Sequence, residues 1–333
     1  RAGIYASTTD DCIAIGKNTL AGTSTAAVTG NFNVAIGNYS LDAATSATQN
    51  VAVGKGTLSG LTDQSYNTAL GHSAGGHVIG AANVLIGRDA AYNAGDIDHC
   101  VAIGYGALTG ATMTDATQAG AIGSGTTITM DGANADILVG MKVSGTNIAE
   151  GTYITTVASA AANPQVFVIN QAVAASVAGG TTLTFYKNSG DYNIAIGSDA
   201  LAVNTTGASN VAIGHEAGSA IQDGNLNTAL GYNALKNATG DGNTALGVYA
   251  MGLGAVTGNS NTCLGRSAGY DLTAGDSNVM IGNEAGANAT TGKQNVIIGL
   301  SACGLGVLVN TSSTLGMYNV VVGPQAGYDL TTG

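Results

Sequence analysis

The sequence lacks several features that would mark common classes of function. Tryptophan is absent, and only 9% of the 333 residues are charged, against about 25% in an average globular domain. Lys and Arg together number nine and the net charge is −11, so the chain offers no basic surface for a nucleic-acid backbone. No run approaches the roughly eighteen consecutive apolar residues that a membrane-spanning helix needs. Nucleic-acid binding and helical membrane spans are therefore excluded.

Cysteine is scarce, with Cys12, Cys100, Cys263 and Cys303 as the four copies. None belongs to a C-x-x-C pair, which argues against a metal or redox motif. Cys12 and Cys100 lie five repeats apart in the pattern described below, too far for a disulfide. We expect all four to be buried small apolar residues, with a bond between chains at Cys263 as the alternative.

Motifs for catalysis are also missing. The sequence has no G-x-S-x-G and no phosphate-binding loop, and "HEAG" at His215 lacks the second histidine of a zinc protease. Carboxylates recur at Asp89, Asp199, Glu216 and Glu284. Asp199 and Glu216 would lie near the separation that glycosidases use, but we expect a solvated acidic face and no enzyme.

The sequence is dominated by fourteen copies of one repeat, N-[VT]-A-[IL]-G-x-x-A-[LG]. Most copies follow one another at 16 to 18 residues, and one spacing is 93. We call the central glycine of each copy the anchor glycine. The anchor glycines are Gly16, Gly37, Gly54, Gly71, Gly87, Gly104, Gly197, Gly214, Gly231, Gly247, Gly265, Gly282, Gly299 and Gly323.

Each repeat predicts one coil of a parallel β-solenoid. Its short apolar segments are bounded by turn-forming residues, as in strands, and about 17 residues are too few to bury a face without a stacked neighbour. The anchor glycine suits a corner with positive φ or close backbone approach. Twelve copies carry asparagine four residues before the anchor, which predicts a stacked hydrogen-bonding ladder. These are Asn33, Asn50, Asn67, Asn83, Asn193, Asn210, Asn227, Asn243, Asn261, Asn278, Asn295 and Asn319.

Alternate strand residues face opposite sides, and we assign Val and Ile of "NVAIG" to the solenoid core, with the alanine outward. Threonines at the Val position, at Thr68, Thr228, Thr244 and Thr262, would then face inward, which argues against an ice-binding array. The outward position is never polar. Large residues there would form an exposed apolar stripe, which predicts an interface between chains. The stripe residues are Cys263, Met280, Ile297 and Val321.

These "NVAIG..A" repeats resemble the head repeats of trimeric autotransporter adhesins of the YadA type, and still more the longer repeats of phage tail fibres. The resemblance covers residues 11–110 and 191–333. It implies a left-handed parallel β-roll, three chains about one axis, and attachment to a surface. The seventeen-residue period is longer than that of the adhesins.

The spacing of 93 hides an insert with a different pattern. We divide the chain into a first solenoid block (1–110), an inserted small β-domain (111–190) and a second solenoid block (191–333). The insert alternates apolar and polar residues in "GTTITM", "ADILVGMKVSG", "GTYITTV", "QVFVIN" and "TTLTFY", as antiparallel strands do. Its entry and exit must lie close together for the solenoid to resume in register. It loosely resembles small β-modules of marine phage structural proteins.

Two further features leave alternatives open. Links such as "TGDGN" and "AGDSN" supply the hard oxygen ligands of calcium without matching the calcium-binding β-helix repeat; we expect no cofactor, with structural calcium as the alternative.

The thirteen tyrosines would pack at seams between chains or stack on sugars. We expect the seam.

The sequence opens "RAGIYASTTDDC", without the pattern of a signal peptide, and ends within a repeat, so we expect a segment of a longer chain. The expected function is a trimeric shaft segment of a phage tail fibre in the virion. Its partners would be itself, other fibre proteins and a host glycan or receptor, with the insert presented for attachment. A bacterial surface adhesin is the alternative, and a polysaccharide depolymerase a remote one.

Overall fold

The computed structural model describes residues 11–22, 28–78, 80–110, 190–304 and 317–328, with short segments between 114 and 186. Twenty strands and no helix occur in these ranges. The first group is β1 (Ile13–Ile15), β2 (Val34–Ile36), β3 (Val51–Val53), β4 (Thr68–Leu70), β5 (Val84–Ile86) and β6 (Val101–Ile103). The insert holds β7 (Thr114–Thr117), β8 (Thr127–Met130), β9 (Lys142–Ser144), β10 (Ile154–Val157), β11 (Gln165–Ile169) and β12 (Thr182–Tyr186). The last group is β13 (Ile194–Ile196), β14 (Val211–Ile213), β15 (Thr228–Leu230), β16 (Thr244–Leu246), β17 (Thr262–Leu264), β18 (Val279–Ile281), β19 (Val296–Ile298) and β20 (Val320–Val322).

Fourteen of these strands form one parallel sheet, with β1 to β6 followed directly by β13 to β20. Each strand is the three residues before an anchor glycine, and equivalent residues pair: Ala35 lies opposite Ala52, for example. The predicted parallel β-solenoid is confirmed. We number its coils 1 to 14, each beginning with its strand, so that coils 1–6 start with β1–β6 and coils 7–14 with β13–β20.

The anchor glycines are required by both backbone conformation and space. Their φ angles lie between 127° and 139°, which other residues rarely adopt. A Cβ on any of them except Gly323 would lie under 3.0 Å from the backbone of the anchor glycine in the next coil. Both reasons given for a glycine at this corner are confirmed.

The insert forms two antiparallel sheets of three strands, β10–β11–β8 and β7–β12–β9. A second apolar core, centred on Phe167 and including Ile128, Ile154 and Leu183, is fully buried, which confirms the predicted small β-structure. Phe185 lies in β12, and its side chain falls outside the described residues. Strand β7 was not predicted, because "TDAT" contains a single apolar residue.

The stacking of solenoid coils continues without a break across the insert. Strand β6 pairs with β13, with Val101 opposite Ile194, and the backbone N–H of Val101 donates to the carbonyl of Asn193 at 2.8 Å. The prediction that the insert begins and ends close together is confirmed.

Candidate functional site

The middle residue of each strand, not its two neighbours, faces the core. We call the middle residues the inner column and the first and third residues the outer columns. Ala35, Ala52 and Ala212 of the inner column are fully buried, whereas Ile15, Leu70 and other outer residues are exposed. The assignment of Val and Ile to the core was therefore wrong.

The same finding reverses the position of the threonines. Thr68 and Thr262 are exposed and Thr228 and Thr244 half-buried, all in the outer columns. The prediction that they face inward was wrong, because they share the side of the exposed Leu, Val and Ile residues.

The predicted interchain stripe lies inside the chain. Cys263, Met280 and Ile297 are each 0% exposed, and Val321 is partly buried against the same core. Their buried side chains face the solenoid interior, so they cannot form a seam with a neighbour. The prediction of an interface at these four residues was wrong, and so was the alternative of an interchain disulfide at Cys263.

The space for these large side chains is provided by glycine on the opposite side of the core. We call the fourth residue after each anchor the turn column. A Cβ at Gly269 of the turn column would lie 2.6 Å from Cys263 Sγ and 3.1 Å from Met280 Sδ. A Cβ at Gly286 would lie 2.7 Å from Met280 Sδ. Glycine in the turn column therefore accommodates a large residue in the inner column.

The asparagines form a continuous internal ladder. The Asn50 backbone N–H donates to Asn33 Oδ1 at 3.0 Å, and Asn50 Nδ2 donates to the Gln64 carbonyl at 3.0 Å. The pattern repeats from coil to coil as far as Asn319, whose N–H donates to Asn295 Oδ1 at 3.0 Å. Each side chain thus satisfies buried backbone groups of two coils, which would otherwise cost free energy.

Two cysteines replace asparagine in this ladder. The Asn193 N–H donates to Cys100 Sγ at 3.4 Å, and that thiol reaches the Gly190 carbonyl at 3.5 Å. Cys12 makes the equivalent contacts with Asn33 and Gly30. Burial raises the pKa of the Cys100 thiol to about 12, so it stays protonated at neutral pH and can donate. The ladder therefore continues across the insert.

The link carboxylates considered for calcium already have partners. Asp241 Oδ1 accepts the Asn225 backbone N–H at 2.7 Å. Asp276 Oδ1 accepts the Asn259 N–H at 2.9 Å, and its Oδ2 pairs with Lys293. They form a second, exposed ladder. No group of three or more His, Cys, Asp or Glu side chains that could hold a metal occurs among the described residues.

The acidic positions noted in the sequence have separate hydrogen-bond or ion-pair partners. Glu216 Oε2 accepts a hydrogen bond from Lys236 Nζ at 2.6 Å, and that bond lowers the Glu216 pKa. Glu284 pairs with Arg266 at 2.8 Å. Asp199 accepts from Ser198 instead.

Aromatic residues contact each other along the surface beside the sheet. His215 stacks on Tyr232 with ring centroids 5.4 Å apart, and Tyr249 and Tyr270 continue the run edge to face. Across the insert, His99 stacks on Tyr192 at 5.3 Å. These histidines therefore pack on tyrosines of neighbouring coils.

The described surface has a groove where coils 4 to 7 pass the corner after the sheet. Its volume is about 590 Å³. The residues that line it are His72, Ser73, Asp89, Tyr92, Tyr105, Gly106, Thr109, Asp199 and Ala202. Sequence reasoning noted Asp89, Asp199 and Tyr105 separately but not their juxtaposition, since Gly106 between them carries no functional signal.

Comparisons with models of protein families, with curated proteins and with solved structures found no match to this chain. The described part of the chain contains no helix with the length and apolar character needed to span a membrane. The resemblance to fibre and adhesin repeats stays a prediction.

Proposed function

We propose that this chain is a structural and adhesive protein, a shaft segment of a phage tail fibre that assembles as a homotrimer. The observation that carries the proposal is the outer face of the fourteen-strand sheet. Its outer columns hold two side chains from each strand, and all of them are Val, Ile, Leu or Thr. Exposure reaches 57% at Ile15 and 74% at Val320.

Such a face needs a partner. Fourteen strands spaced about 4.8 Å, each three residues of about 3.3 Å, give an apolar surface on the order of 650 Å². The largest apolar patch on an ordinary monomer is about 300–600 Å² and often functional. A stable interface buries about 800 Å² per partner. A second and third copy of the same regular face would cover it along its whole length.

The proposed mechanism is mechanical. Stacked coils give length and stiffness, and the insert stands at one coil of the shaft as a candidate attachment module, since recognition is often carried by segments on a rigid scaffold. Three copies on one shaft would give avidity for a repeated surface ligand. Under this proposal the protein is extracellular, in the virion, with fibre proteins and a host surface glycan or receptor as its partners.

The first test is the mass of the folded particle by light scattering without denaturant. One chain is 32.4 kDa, and we expect three times that value. The double variant Val211→Glu, Ile213→Glu places charges in both outer columns of coil 8 and should give monomers or aggregates. The control Gln222→Glu adds a charge at an exposed link residue of the same coil and should leave the trimer intact. A monomeric wild-type chain would overturn the proposal.

The second test concerns attachment. Replacing residues 111–189 by a three-residue link restores a coil of 17 residues between Val101 and Asn193. We expect this variant to remain trimeric and to lose binding of the fluorescently labelled protein to host cells. Undiminished binding would exclude the insert as the attachment module.

A further inference from the structure

The groove at coils 4 to 7 arises from a gap in a regular row. The second residue after the anchor is Asp89 in coil 5, Gly106 in coil 6 and Asp199 in coil 7. A Cβ at Gly106 would lie 2.6 Å from Asp199 Oδ1 and 3.4 Å from Thr109 Oγ1. The Asp199 carboxylate therefore reaches over Gly106 into the space that a side chain at position 106 would take, and Asp89 lines the same groove from coil 5.

Both carboxylates are held at one oxygen and free at the other. Asp199 Oδ2 accepts the Ser198 hydroxyl at 2.9 Å. Asp89 Oδ2 pairs with Arg88 Nε at 3.0 Å. Within the described part of the chain, neither Oδ1 atom receives a hydrogen bond. Two oriented acceptors therefore face the groove.

The walls add aromatic surface. The Tyr105 side chain is 54% exposed, and the Arg88 guanidinium lies 5.5 Å from the centre of its ring. Tyr92 is held by an interaction between its hydroxyl and His77 Nε2 at 3.3 Å. Both rings are thus positioned by neighbours, while Tyr105 keeps much of its surface available.

We propose that this groove binds one uncharged sugar residue of a surface polysaccharide. The apolar C–H face of a pyranose can stack on a tyrosine ring. Its hydroxyls can donate to the free carboxylate oxygens, and hydrogen bonds to charged acceptors are the stronger kind. The groove volume is within the range of small-molecule sites. Among the described residues Asp199 has no basic partner, whereas Asp89 pairs with Arg88, so the Asp199 charge would repel an acidic sugar.

A metal ion fits less well. Oxygen sites for calcium use six to eight ligands, and among the described residues no group of three or more His, Cys, Asp or Glu side chains could hold a metal ion.

The inference rests on the proposed attachment function and deepens it, since it places a sugar contact on the shaft beside the insert. The probes are four soluble neutral oligosaccharides, of glucose, galactose, mannose and N-acetylglucosamine, with an alginate oligosaccharide as the acidic comparison. Binding is measured by saturation-transfer difference NMR and by titration. We expect at least one neutral probe to bind and alginate not to bind.

The variants Asp199→Asn and Tyr105→Ala should each weaken that binding about tenfold or more. Matched controls at the same columns outside the groove, Glu284→Gln and Tyr232→Ala, should bind as the wild type does. Retained particle mass and circular dichroism show that each variant is folded. Failure of all four neutral probes, or binding that survives both groove variants, would overturn the inference.

Attachment to cells, measured in parallel, separates this inference from the proposed function. If the protein attaches to cells but binds none of the four probes, the inference that the groove binds a neutral sugar is contradicted, and the proposed attachment function is not. Probe binding that depends on Asp199, in a protein that attaches to no cells, supports the groove and contradicts the attachment role.

Discussion

Coils 2 and 12, residues 34–50 and 279–295, have the same length and strand register but fill the core from opposite sides. In coil 2 the inner column carries Ala35 and the turn column Leu41, both buried. In coil 12 the inner column carries Met280, and the turn column is Gly286. Protein interiors are close-packed, so the space between the inner column and the turn column is filled once. A large side chain in one column therefore requires a small residue in the other.

The same exchange occurs elsewhere. Leu85 in the inner column lies against Gly75, where a Cβ would be 2.7 Å from Leu85 Cδ1. In coil 8 both columns are small, and a Cβ at Gly218 would be 2.9 Å from Ile221 Cδ1, so a third residue fills the space. A large inner residue therefore indicates packing compensation within one chain, and it says nothing about a partner.

Removing the large side chain in coil 12 should have the greatest effect. Met280→Ala leaves a cavity beside two glycines whose backbones cannot move into it. We expect a loss of about 2–5 kcal/mol, seen as a lower urea midpoint of the folded protein. Met280→Leu, which conserves volume, should cost less than about 1.5 kcal/mol. Equal midpoints for Met280→Ala and wild type would contradict the compensation.

A second substitution should convert coil 12 towards the arrangement of coil 2. Gly286→Leu alone overpacks against Met280 and should cost about 1–3 kcal/mol. In the Met280→Ala background it should recover stability, since Leu41 adopts the same left-handed conformation, with φ of 49° against 59° at Gly286. A double-mutant cycle measures the coupling; strict additivity would show that the columns are independent.

The fold was predictable because the repeat carries it. Glycine corners, short β-branched segments and the asparagine position each recur in register, so a parallel solenoid was the one arrangement that satisfied all of them. The insert was predictable where its strands alternate, as in β11 with Phe167, and not where they do not, as in β7.

The prediction for the direction of the strand side chains was wrong, although the sequence contained the information. The ladder asparagine and the inner residue are two positions apart, as Asn33 and Ala35 are, and alternate residues of a strand share a side. An asparagine that satisfies buried turn amides therefore implies an inward alanine and outward Val34 and Ile36. Apolar size was given more weight than this alternation. The groove needed coordinates, since it depends on the absence of a side chain at Gly106.

Coil 7 departs from the comparison in a third core column, the seventh residue after the anchor. Coils 2 and 12 have Ala44 and Ala289 there, and coil 3 has Leu61, all buried. Asn204 occupies the position in coil 7 and is fully buried, and within the described ranges neither of its side-chain amide atoms has a hydrogen-bond partner. A buried polar group without partners costs about 1–3 kcal/mol. Asn204→Leu should therefore raise the melting temperature, and Asn204→Asp should lower it. A destabilised leucine variant would mean that Asn204 has a partner in solution.

The smallest expected effect concerns the exposed ladder of link residues. Its contact at coil 2 joins uncharged residues, and its contact at coil 12 is an ion pair. The Thr48 N–H of coil 2 donates to Ser65 Oγ of coil 3 at 3.1 Å, whereas Asp276 of coil 11 pairs with Lys293 of coil 12. Burial raises the Asp276 pKa, but hydrogen bonds from Lys293 and the Asn259 N–H lower it by more, so the pKa of Asp276 lies below the ordinary value for aspartate.

A carboxylate whose folded-state pKa is depressed stabilises the fold above its unfolded pKa, and loses that contribution as the pH falls through the folded value. Lys293→Met should therefore raise the Asp276 pKa, measured by NMR of ¹³C-labelled aspartate. It should cost less than about 1 kcal/mol at neutral pH, because both partners are partly exposed. The cost should shrink below about pH 4, where the carboxylate is protonated in the unfolded chain. Ser65→Ala, the neutral counterpart, should show no such pH dependence. An equal response of both variants to pH would mean that the charged pair adds nothing that the neutral ladder lacks.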